Sequence, residues 1–521
     1  MKIKDYLCSI KMQGSLFLSK TMKRTLTLTL SILFAVTLFG QGTDDACLFS
    51  QTFYQGTAKA LGMGNALGAV GGDMTAICIN PAGMGIYRNH ELTLTAGLLD
   101  NFQQSAYYGT SNNANKFRMN LPSLSYVNAK QRSNFRPLRF TQFGIGLTRV
   151  NDYNIHTLSK GINPTSSKID NYLNQIHDKY YPEDYNGPLY TSFLPITQLE
   201  ESASEDIFSA WKTYLIDIYQ DSIGDFYSSP VPQGHLWQGQ DSNFKGRSEE
   251  WTFAGSFNYF DKLYVGVSAN LAHIKRVGER IFRESHPDGA DPGSGFNQWS
   301  FTESLRSTGW GGNAKVGFIY HAGPWFRFGG AFHSPTIYAF TETWQTETES
   351  EILSMTRKYI SPESHYEYTF IKPMKWVGSM VFFIGQSGMI SFDAEYTNFG
   401  AARFRATDYD YDALNDDIKA TYGKTFNFRL GSEWLLGSSY LRLGAAYYGS
   451  PLGLGKSDGS VKKASIGISV PITFDVTFDF AYELSHGLAQ QYLYDAGTLG
   501  IEPVTHKAFR NDLAITIKVR Y

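Results

Sequence analysis

The chain ends in the stretch DLAITIKVRY, residues Asp512–Tyr521, and this stretch decides the fold. Every second residue from Leu513 to Tyr521 is apolar. Asp512, Thr516, Lys518 and Arg520 alternate with them, and only Ala514 is indifferent. A period of two predicts a strand with one apolar and one wet face. A soluble protein rarely ends in an exposed edge strand, whereas a transmembrane β-barrel closes its sheet with its last strand. We therefore expect this strand to close a barrel, with its apolar side chains facing lipid.

The terminal residue, Tyr521, points to the same class of protein. It resembles the C-terminal assembly signal of Gram-negative outer-membrane proteins, in which Phe is usual and Tyr or Trp occurs. The resemblance implies that the barrel-assembly machinery binds this strand and that the protein is a multi-pass β-barrel of the cell outer membrane. Alternation alone also fits a soluble sandwich, so the rest of the chain has to decide.

Composition favours a large barrel over the other classes. The 521 residues carry a net charge of −2, which gives no electrostatic reason to expect nucleic acid as a partner. Aromatic residues make up 15% of the chain and charged residues 18%, and the mean hydropathy is −0.27. This value argues against a helical membrane protein but suits a barrel, in which half of each strand faces water and aromatic residues form two interfacial girdles.

Residues 1–42 are predicted to form a signal-peptide region. Lys23 and Arg24 precede the apolar run Leu26–Phe39, which is followed by Gly40, Gln41 and Gly42. A basic start, a short apolar run and a polar exit are typical of a secretory signal, and the run is short for a bilayer span. Because Met22 lies just before the basic pair, we expect the true start there.

From residue 89 to 521 the chain reads as a transmembrane antiparallel β-barrel of about fourteen strands, which makes the protein all-β. Short connections, such as 260–262 and 436–439, alternate with long ones, of which 152–246 is the longest. Short periplasmic turns and long extracellular loops are typical of outer-membrane barrels. The predicted strand centres are Leu94, Leu124, Ile145, Phe253, Val267, Val316, Phe328, Val377, Phe392, Phe428, Leu443, Ile466, Val476 and Ile517.

The long extracellular loop 152–246 contains two runs with helical spacing. The first run extends from Ile169 to Ile176, and the second from Ile207 to Tyr219. Their apolar faces need cover, so they either pack on each other and on the barrel rim or form a greasy groove for a ligand. The candidate capture surface consists of Ile207, Phe208, Trp211 and Leu215.

Residues 43–88, before the barrel, are rich in small side chains. Gly62-Met63-Gly64 might be taken for a nucleotide loop, but no strand precedes it and no lysine follows at Walker spacing. Small residues at this density allow close backbone packing, as a plug inside a barrel requires. We therefore expect residues 43–88 to form a hatch.

This segment resembles the FadL/TodX family of outer-membrane transporters of hydrophobic compounds. The resemblance rests on Gly56–Gly64, on Gly72-Asp73 with Ala76, and on Asn80-Pro81-Ala82-Gly83. It implies a fourteen-stranded barrel with a small N-terminal hatch and passive transport of hydrophobic small molecules such as long-chain fatty acids. Within it, Gly62, Gly64, Asn80, Pro81, Ala82 and Gly83 are the hatch motif. The motifs cover only residues 51–88, and the substrate pocket of the family cannot be mapped onto this chain.

The resemblance also implies a route: capture among extracellular loops, rearrangement of the hatch, and lateral release through the barrel wall into outer-membrane lipid. Entry into lipid gains about 0.8 kcal/mol per buried CH₂, so no energy source is needed. In the family the opening comes from a kink in the third strand, here Leu138–Val150. Gly144 and Gly146 are the candidate weak points, although they can equally serve to relieve packing against the hatch.

Catalytic, metal and cofactor sites are not predicted. The 11 histidines form no metal-binding motif and no nucleophile elbow is present, so the chain is not expected to be an enzyme. Cys47 and Cys78 either pair or remain two separate thiols. Two other functions stay open: a general porin or surface adhesion barrel, and a haemin-binding outer-membrane receptor.

Overall fold

A computed structural model describes residues 42–132, 135–180, 186–192, 194–197, 199, 203–453, 458–494 and 499–521. The predicted signal segment 1–42, apart from Gly42, lies outside these residues, as does the expected start at Met22.

Twenty-two strands follow the hatch within the described residues, and alternating polar and apolar residues account for most of them. They are β1 (Glu91–Tyr107), β2 (Thr110–Gln131), β3 (Leu138–Asp152), β4 (Ile155–Asn163), β5 (Leu189–Tyr190), β6 (Asp217–Gln220), β7 (Asp225–Ser228), β8 (Leu236–Tyr259), β9 (Leu263–Ser285), β10 (Phe296–Gly323), β11 (Phe326–His333), β12 (Thr336–Ile352), β13 (Met355–Ile360), β14 (Ser364–Lys372), β15 (Lys375–Ile384), β16 (Gly388–Asn398), β17 (Arg403–Arg405), β18 (Lys424–Leu436), β19 (Ser439–Tyr448), β20 (Val461–Pro471), β21 (Val476–Gln491) and β22 (Val504–Arg520).

Nineteen of these strands form one closed antiparallel sheet, and β5, β6 and β7 form a small separate one. Because β4, β12, β14 and β17 each continue a neighbouring strand across a short break and β13 forms a tip hairpin with β12, the barrel has fourteen staves. Each of the fourteen predicted centres lies in a different stave. The closing pair is β1 with β22, with Leu94 opposite Ile517 as expected. The fold class is thus confirmed.

The two faces of the wall differ as the sequence predicts. On β22, Leu513 and Ile515 are exposed on the outside, whereas Thr516 and Lys518 are buried in the lumen. The lumen carries charges of both signs: the Arg429 guanidinium lies 3.3 Å from the Glu395 carboxylate. An apolar exterior band around a polar interior is the pattern of an outer-membrane barrel. Among the described residues, no helix is long and apolar enough to cross a membrane.

At one end of the barrel all connections are short, and the longest connection, between β4 and β8, lies at the other end, as predicted. That other end also has a two-residue turn between Tyr107 of β1 and Thr110 of β2, where a longer loop was expected. Strands β4 and β8 extend far into the expected loop 152–246, so the connection proper spans residues 164–235, which we call the cap. The cap contains the small sheet and two helices, Lys168–Tyr180 and Glu205–Lys212. A further helix, Asp412–Thr421, lies in another extracellular connection.

The second predicted helical run, Ile207 to Tyr219, is only partly helical, so that prediction was wrong in its extent. The helix ends at Lys212, and Tyr214 adopts a left-handed backbone conformation with φ of 59°. The Leu215 N–H then donates back to the Ala210 carbonyl at 2.9 Å, which closes the helix end. Ile218 and Tyr219, which also fit the helical spacing, belong to strand β6 and not to the helix.

Candidate functional site

The hatch lies inside the barrel and consists of short helices joined by tight turns. They are α1 (Thr43–Ser50), α2 (Ala58–Gly62), α3 (Met74–Ile79) and a 3₁₀ helix (Pro81–Ile86). The predicted motif glycines lie where hatch and wall backbones meet: a Cβ on Gly62 would come 3.0 Å from the Gly467 Cα. Gly64 has a φ of 59°, and a Cβ there would come 2.9 Å from the Ala445 nitrogen. These positions therefore need glycine for close approach.

The Asn80-Pro81-Ala82-Gly83 segment joins the hatch to the wall. The Asn80 side-chain amide donates to the Gly68 carbonyl at 2.9 Å and to the Phe318 carbonyl of β10 at 3.1 Å. Its oxygen accepts from the Ala82 N–H at 3.1 Å and so caps the 3₁₀ helix, which Pro81 begins. The Asn80 side chain thus hydrogen-bonds two parts of the hatch to each other and to the wall.

Hydrogen bonds hold the hatch around much of the barrel circumference. Thr516 of β22 accepts from the Ala58 N–H at 2.8 Å, and Asp393 of β16 accepts from the Gly68 N–H at 2.9 Å. The Lys315 ammonium of β10 donates to the Cys78 carbonyl at 3.0 Å. Because these anchors lie on well-separated strands, the hatch spans the lumen and closes it.

The wall beside the hatch is interrupted between β2 and β3. Their ladder ends at the pair of Ser123 with Thr148, and beyond it β2 pairs only with β1 while β3 and β4 pair with β8. Pro122, which has no N–H to donate, lies next to the last paired residue of β2. We call the unpaired interval between residues 110–122 of β2 and 149–163 of β3 and β4 the wall gap.

Hatch backbone and wall side chains occupy the wall gap. The Phe53 N–H of the hatch donates to the Val150 carbonyl at 2.8 Å, in place of a neighbouring strand. From β2, the Lys116 ammonium reaches past β4 to the Phe244 carbonyl of β8, and Arg118 donates to the Asn154 side chain at 2.7 Å. A cavity of about 470 Å³ remains here.

The two glycines predicted as weak points lie below the wall gap, inside the paired part of the ladder. Gly144 is opposite Val127 and Gly146 is opposite Ser125. A Cβ on Gly146 would come 2.7 Å from the sulfur of Met74, so this glycine makes room for the hatch. The ladder ends just above, after Thr148, and the signal that sequence reasoning missed is the proline at position 122.

A cluster of aromatic rings in the lumen, which touches the wall gap through Tyr153, was not predicted. Phe49 of α1 stacks on Phe340 of β12 at 5.0 Å and contacts Tyr153 at 6.1 Å and Phe370 of β14 at 5.9 Å. Tyr153 lies at the bend between β3 and β4. The available signal was the run of aromatic residues on the lumen face of β12 and β14, where other strands carry polar side chains.

Helix α1 is tied to the wall at the same place. Asp45 of α1 pairs with Arg276 of β9 at 2.8 Å, and the Arg276 guanidinium lies 4.1 Å from the centre of the Phe244 ring. The hatch, the aromatic cluster and the bend of the third stave are therefore in direct contact.

The predicted capture surface is divided by the structure. Ile207 and Leu215 are buried in the hydrophobic cluster that joins the cap to the barrel rim. Phe208 and Trp211 are half-buried, with the Lys212 ammonium 4.9 Å and 4.4 Å from their ring centres. Phe208 also meets Tyr359 of the β13 hairpin at 5.6 Å. The cap helices thus pack on the rim. Of the four predicted capture residues, only Phe208 and Trp211 border solvent.

The two cysteines of the described hatch are separate free thiols: Cys78 is buried and Cys47 partly so. Within the described ranges, no group of three or more His, Cys, Asp or Glu side chains could hold a metal ion.

No family model matches the chain, and no curated protein matches it in sequence. In structure it is similar to a Pseudomonas aeruginosa FadL homologue, with a TM-score of 0.54 at 12% identity over 90% of this chain and 99% of that chain. It is also similar to the P. putida toluene transporter TodX, with a TM-score of 0.51 at 11% identity over 88% of this chain and 98% of that chain. The resemblance read from the hatch is confirmed at the level of the fold: this chain has the hatch-closed barrel fold of FadL-like and TodX-like proteins.

Proposed function

We propose that this protein carries hydrophobic compounds passively across the outer membrane and releases them sideways into the lipid. The observation that carries the proposal is a lumen closed by a hatch that touches an interruption of the barrel wall. A general porin needs an open aqueous lumen, which the hatch anchors from Ala58 to Cys78 do not leave. The solved structures with this fold include one named a toluene transporter, which supports a hydrophobic cargo.

The aromatic cluster around Phe49 is the proposed binding site inside the lumen. Phe49 is almost fully buried among the rings of Phe340, Phe370 and Tyr153. An incoming apolar molecule displaces Phe49 and takes over its contacts. Helix α1 therefore moves only when the cargo replaces the Phe49 side chain. Displacement of Phe49 loosens the contact with Tyr153 and thereby the bend beside the wall gap.

Entry of the cargo starts at the cap and exit occurs at the wall gap. Phe208 and Trp211 are the parts of the predicted capture surface that border solvent, and we assign them the first contact. Lateral exit needs no energy source, because a ligand gains about 0.8 kcal/mol per CH₂ when it leaves water for lipid. Long-chain fatty acids gain most from this route, and we propose them as cargo together with other apolar molecules of similar width.

Cross-linking across the wall gap tests the route. Lys116→Cys and Asn243→Cys, in a chain with Cys47→Ala and Cys78→Ala, join β2 to β8 through a short bis-maleimide where the native side chains touch. We expect uptake of labelled long-chain fatty acid by cells to fall at least tenfold after cross-linking and to be normal without it.

The matched control joins Lys130→Cys to Thr141→Cys, which lie directly opposite each other in the paired part of β2 and β3. That cross-link should leave uptake unchanged. Undiminished uptake with the gap closed would exclude lateral release. Steady ion conductance in planar bilayers that ignores added fatty acid would instead identify a porin.

A further inference from the structure

The outer mouth of the wall gap has an unusual charge. The cavity of about 470 Å³ at the bend of the third stave is lined by nine described residues, and none of them is acidic. Apolar area comes from Phe117 and Val277. Five of the nine lining residues are basic: Lys116, Arg118, Lys245, Arg247 and Lys275.

Strand register brings like charges together in this cavity. Arg247 of β8 lies directly opposite Lys275 of β9. Lys245 lies two residues before Arg247 on β8, on the same face of the strand. Like charges directly opposite each other on a ladder are destabilising. An anion between them would remove this penalty.

Two carboxylates act on these cations, Asp152 and Glu249, and both also pair with Arg149. Arg247 pairs with Glu249 at 2.8 Å, and Glu249 also accepts from Arg149 at 3.1 Å. No ion pair or hydrogen bond joins the Lys245 or Lys275 ammonium to any described residue. Lys116 and Arg118 donate only to neutral oxygens, those of Phe244, Asn243, Ile155 and Asn154.

An aromatic pair lies next to the cavity on the outer face of the wall. His273, two residues before Lys275 on the outer face of β9, stacks on Trp310 at 4.2 Å. Aromatic rings at this position mark the boundary between acyl chains and headgroups. Below the boundary the outer face is apolar, as at Leu271, and Phe117 at the cavity edge is 64% exposed.

We propose that this cavity binds the phosphate-bearing headgroup of an outer-leaflet lipid. A phosphate is a compact anion with several acceptor oxygens, which Arg and Lys side chains bind strongly. Basic pockets on the wall of a membrane protein bind phosphorylated headgroups in this way. The acyl chains of such a lipid would lie on Phe117 and Val277 and cover the wall gap from outside. This inference does not depend on which molecule the barrel transports.

Native mass spectrometry of the purified barrel, titrated with diphosphorylated lipid A in detergent, tests the proposal. Each lysine near a phosphate contributes about fivefold to binding, so Lys245→Ala/Lys275→Ala should bind about 25-fold more weakly. Lys245→Arg/Lys275→Arg should bind like the native protein. The matched control is Lys462→Ala, an exposed lysine on β20, which should not change binding. Heat-modifiable gel migration confirms that each variant is folded.

Two further probes separate the possible sources of the phosphate. Lipid A without its phosphates should bind at least tenfold more weakly than the phosphorylated form. Inorganic pyrophosphate should compete only at far higher concentration, because it lacks acyl chains. Equal binding of the dephosphorylated lipid, or an unchanged affinity in the double alanine variant, would overturn the proposal. Pyrophosphate that binds as tightly as the lipid would assign the cavity to a free anion and overturn the lipid assignment.

Discussion

Two seams of the barrel, one on either side of the hairpin formed by β1 and β2, differ sharply. Between β1 and β22 the ladder runs without interruption from Glu91 opposite Arg520 to Ala106 opposite Thr505. Between β2 and β3 it covers only residues 123–131 of β2, and the upper half of that strand has no partner on this side. The wall is therefore continuously hydrogen-bonded on one side of this hairpin and interrupted on the other. Particular side chains account for the difference.

The closing seam is sealed from both faces. Apolar residues of β22 face lipid, and in the lumen the Thr95 and Thr516 hydroxyls share a hydrogen bond of 2.8 Å. At the interrupted seam, Pro122 removes a donor from β2, and β3 has a register shift between Arg149 and Asn151. Hatch backbone then bonds to β3 where β2 does not. The hatch thus depends on the gap for part of its own support.

The largest expected effect comes from Lys518, on the strand that closes the sealed seam. Its ammonium lies 2.8 Å from Asp479 of β21 and 3.4 Å from Asp73 of the hatch, and all three are buried. Lys518→Met leaves Asp73 without this cation and Asp479 with Arg442 alone, so we expect a loss of about 3–5 kcal/mol in the free energy of unfolding. Urea unfolding in lipid vesicles, followed by tryptophan fluorescence, measures it.

The control for this variant is Lys358→Met on the β13 hairpin. Lys358 pairs with Glu347 at 2.6 Å, but the two side chains are 46% and 37% exposed, so water replaces the lost partner. A loss of about 0–1 kcal/mol is expected. If the two variants unfold at the same urea concentration, the buried pairs of Lys518 do not stabilise the closing strand.

A smaller effect is expected at the paired part of the interrupted seam. In Gly146→Ala the new Cβ would lie 2.7 Å from the Met74 sulfur and 2.9 Å from the Ser125 Cβ. Overpacking of this kind costs about 1–3 kcal/mol. The same unfolding assay measures the loss, and hydrogen exchange of α3 should rise because the hatch is pushed inward.

Gly378→Ala is the matched control, because a Cβ at Gly378 on β15 meets nothing within 4 Å. Its stability should be unchanged or slightly raised. Equal losses in both variants would mean that these glycines are needed for the conformation of the strand backbone and not for contact with the hatch. Gly146 would then again be a candidate weak point in the wall.

The contrast between the seams also explains what the sequence could predict. The closing strand was predictable because alternation from Leu513 to Tyr521 is a local property, and lipid on one face imposes it. The hatch was predictable from its small residues and from the motif around Asn80. The wall gap was not, because it depends on how β3 bends relative to the hatch and to β8. Alternation also says nothing about a ring such as Phe49, whose partners come from distant strands.

Thiol labelling gives the smallest perturbation, since it changes no residue and should not alter stability. Burial, with a smaller contribution from Asp44, raises the pKa of the Cys47 thiol to about 12. At neutral pH this leaves far less thiolate than an ordinary cysteine has, so maleimide should label Cys47 very slowly. If cargo displaces Phe49 and α1 moves, added fatty acid should accelerate labelling, as peptide mass spectrometry after timed quenching would record.

Cys78 serves as the internal reference, because it lies at the last rung of the interrupted ladder. Its sulfur is 3.4 Å from the Thr148 hydroxyl, where β2 and β3 are still paired, and it is fully buried. We expect it to stay unlabelled when fatty acid is added. Acceleration at Cys47 alone would locate the mobile part of the hatch beside the wall gap. Equal acceleration at both thiols would mean that the whole hatch leaves its seat, and the unpaired seam would then have no special part in opening.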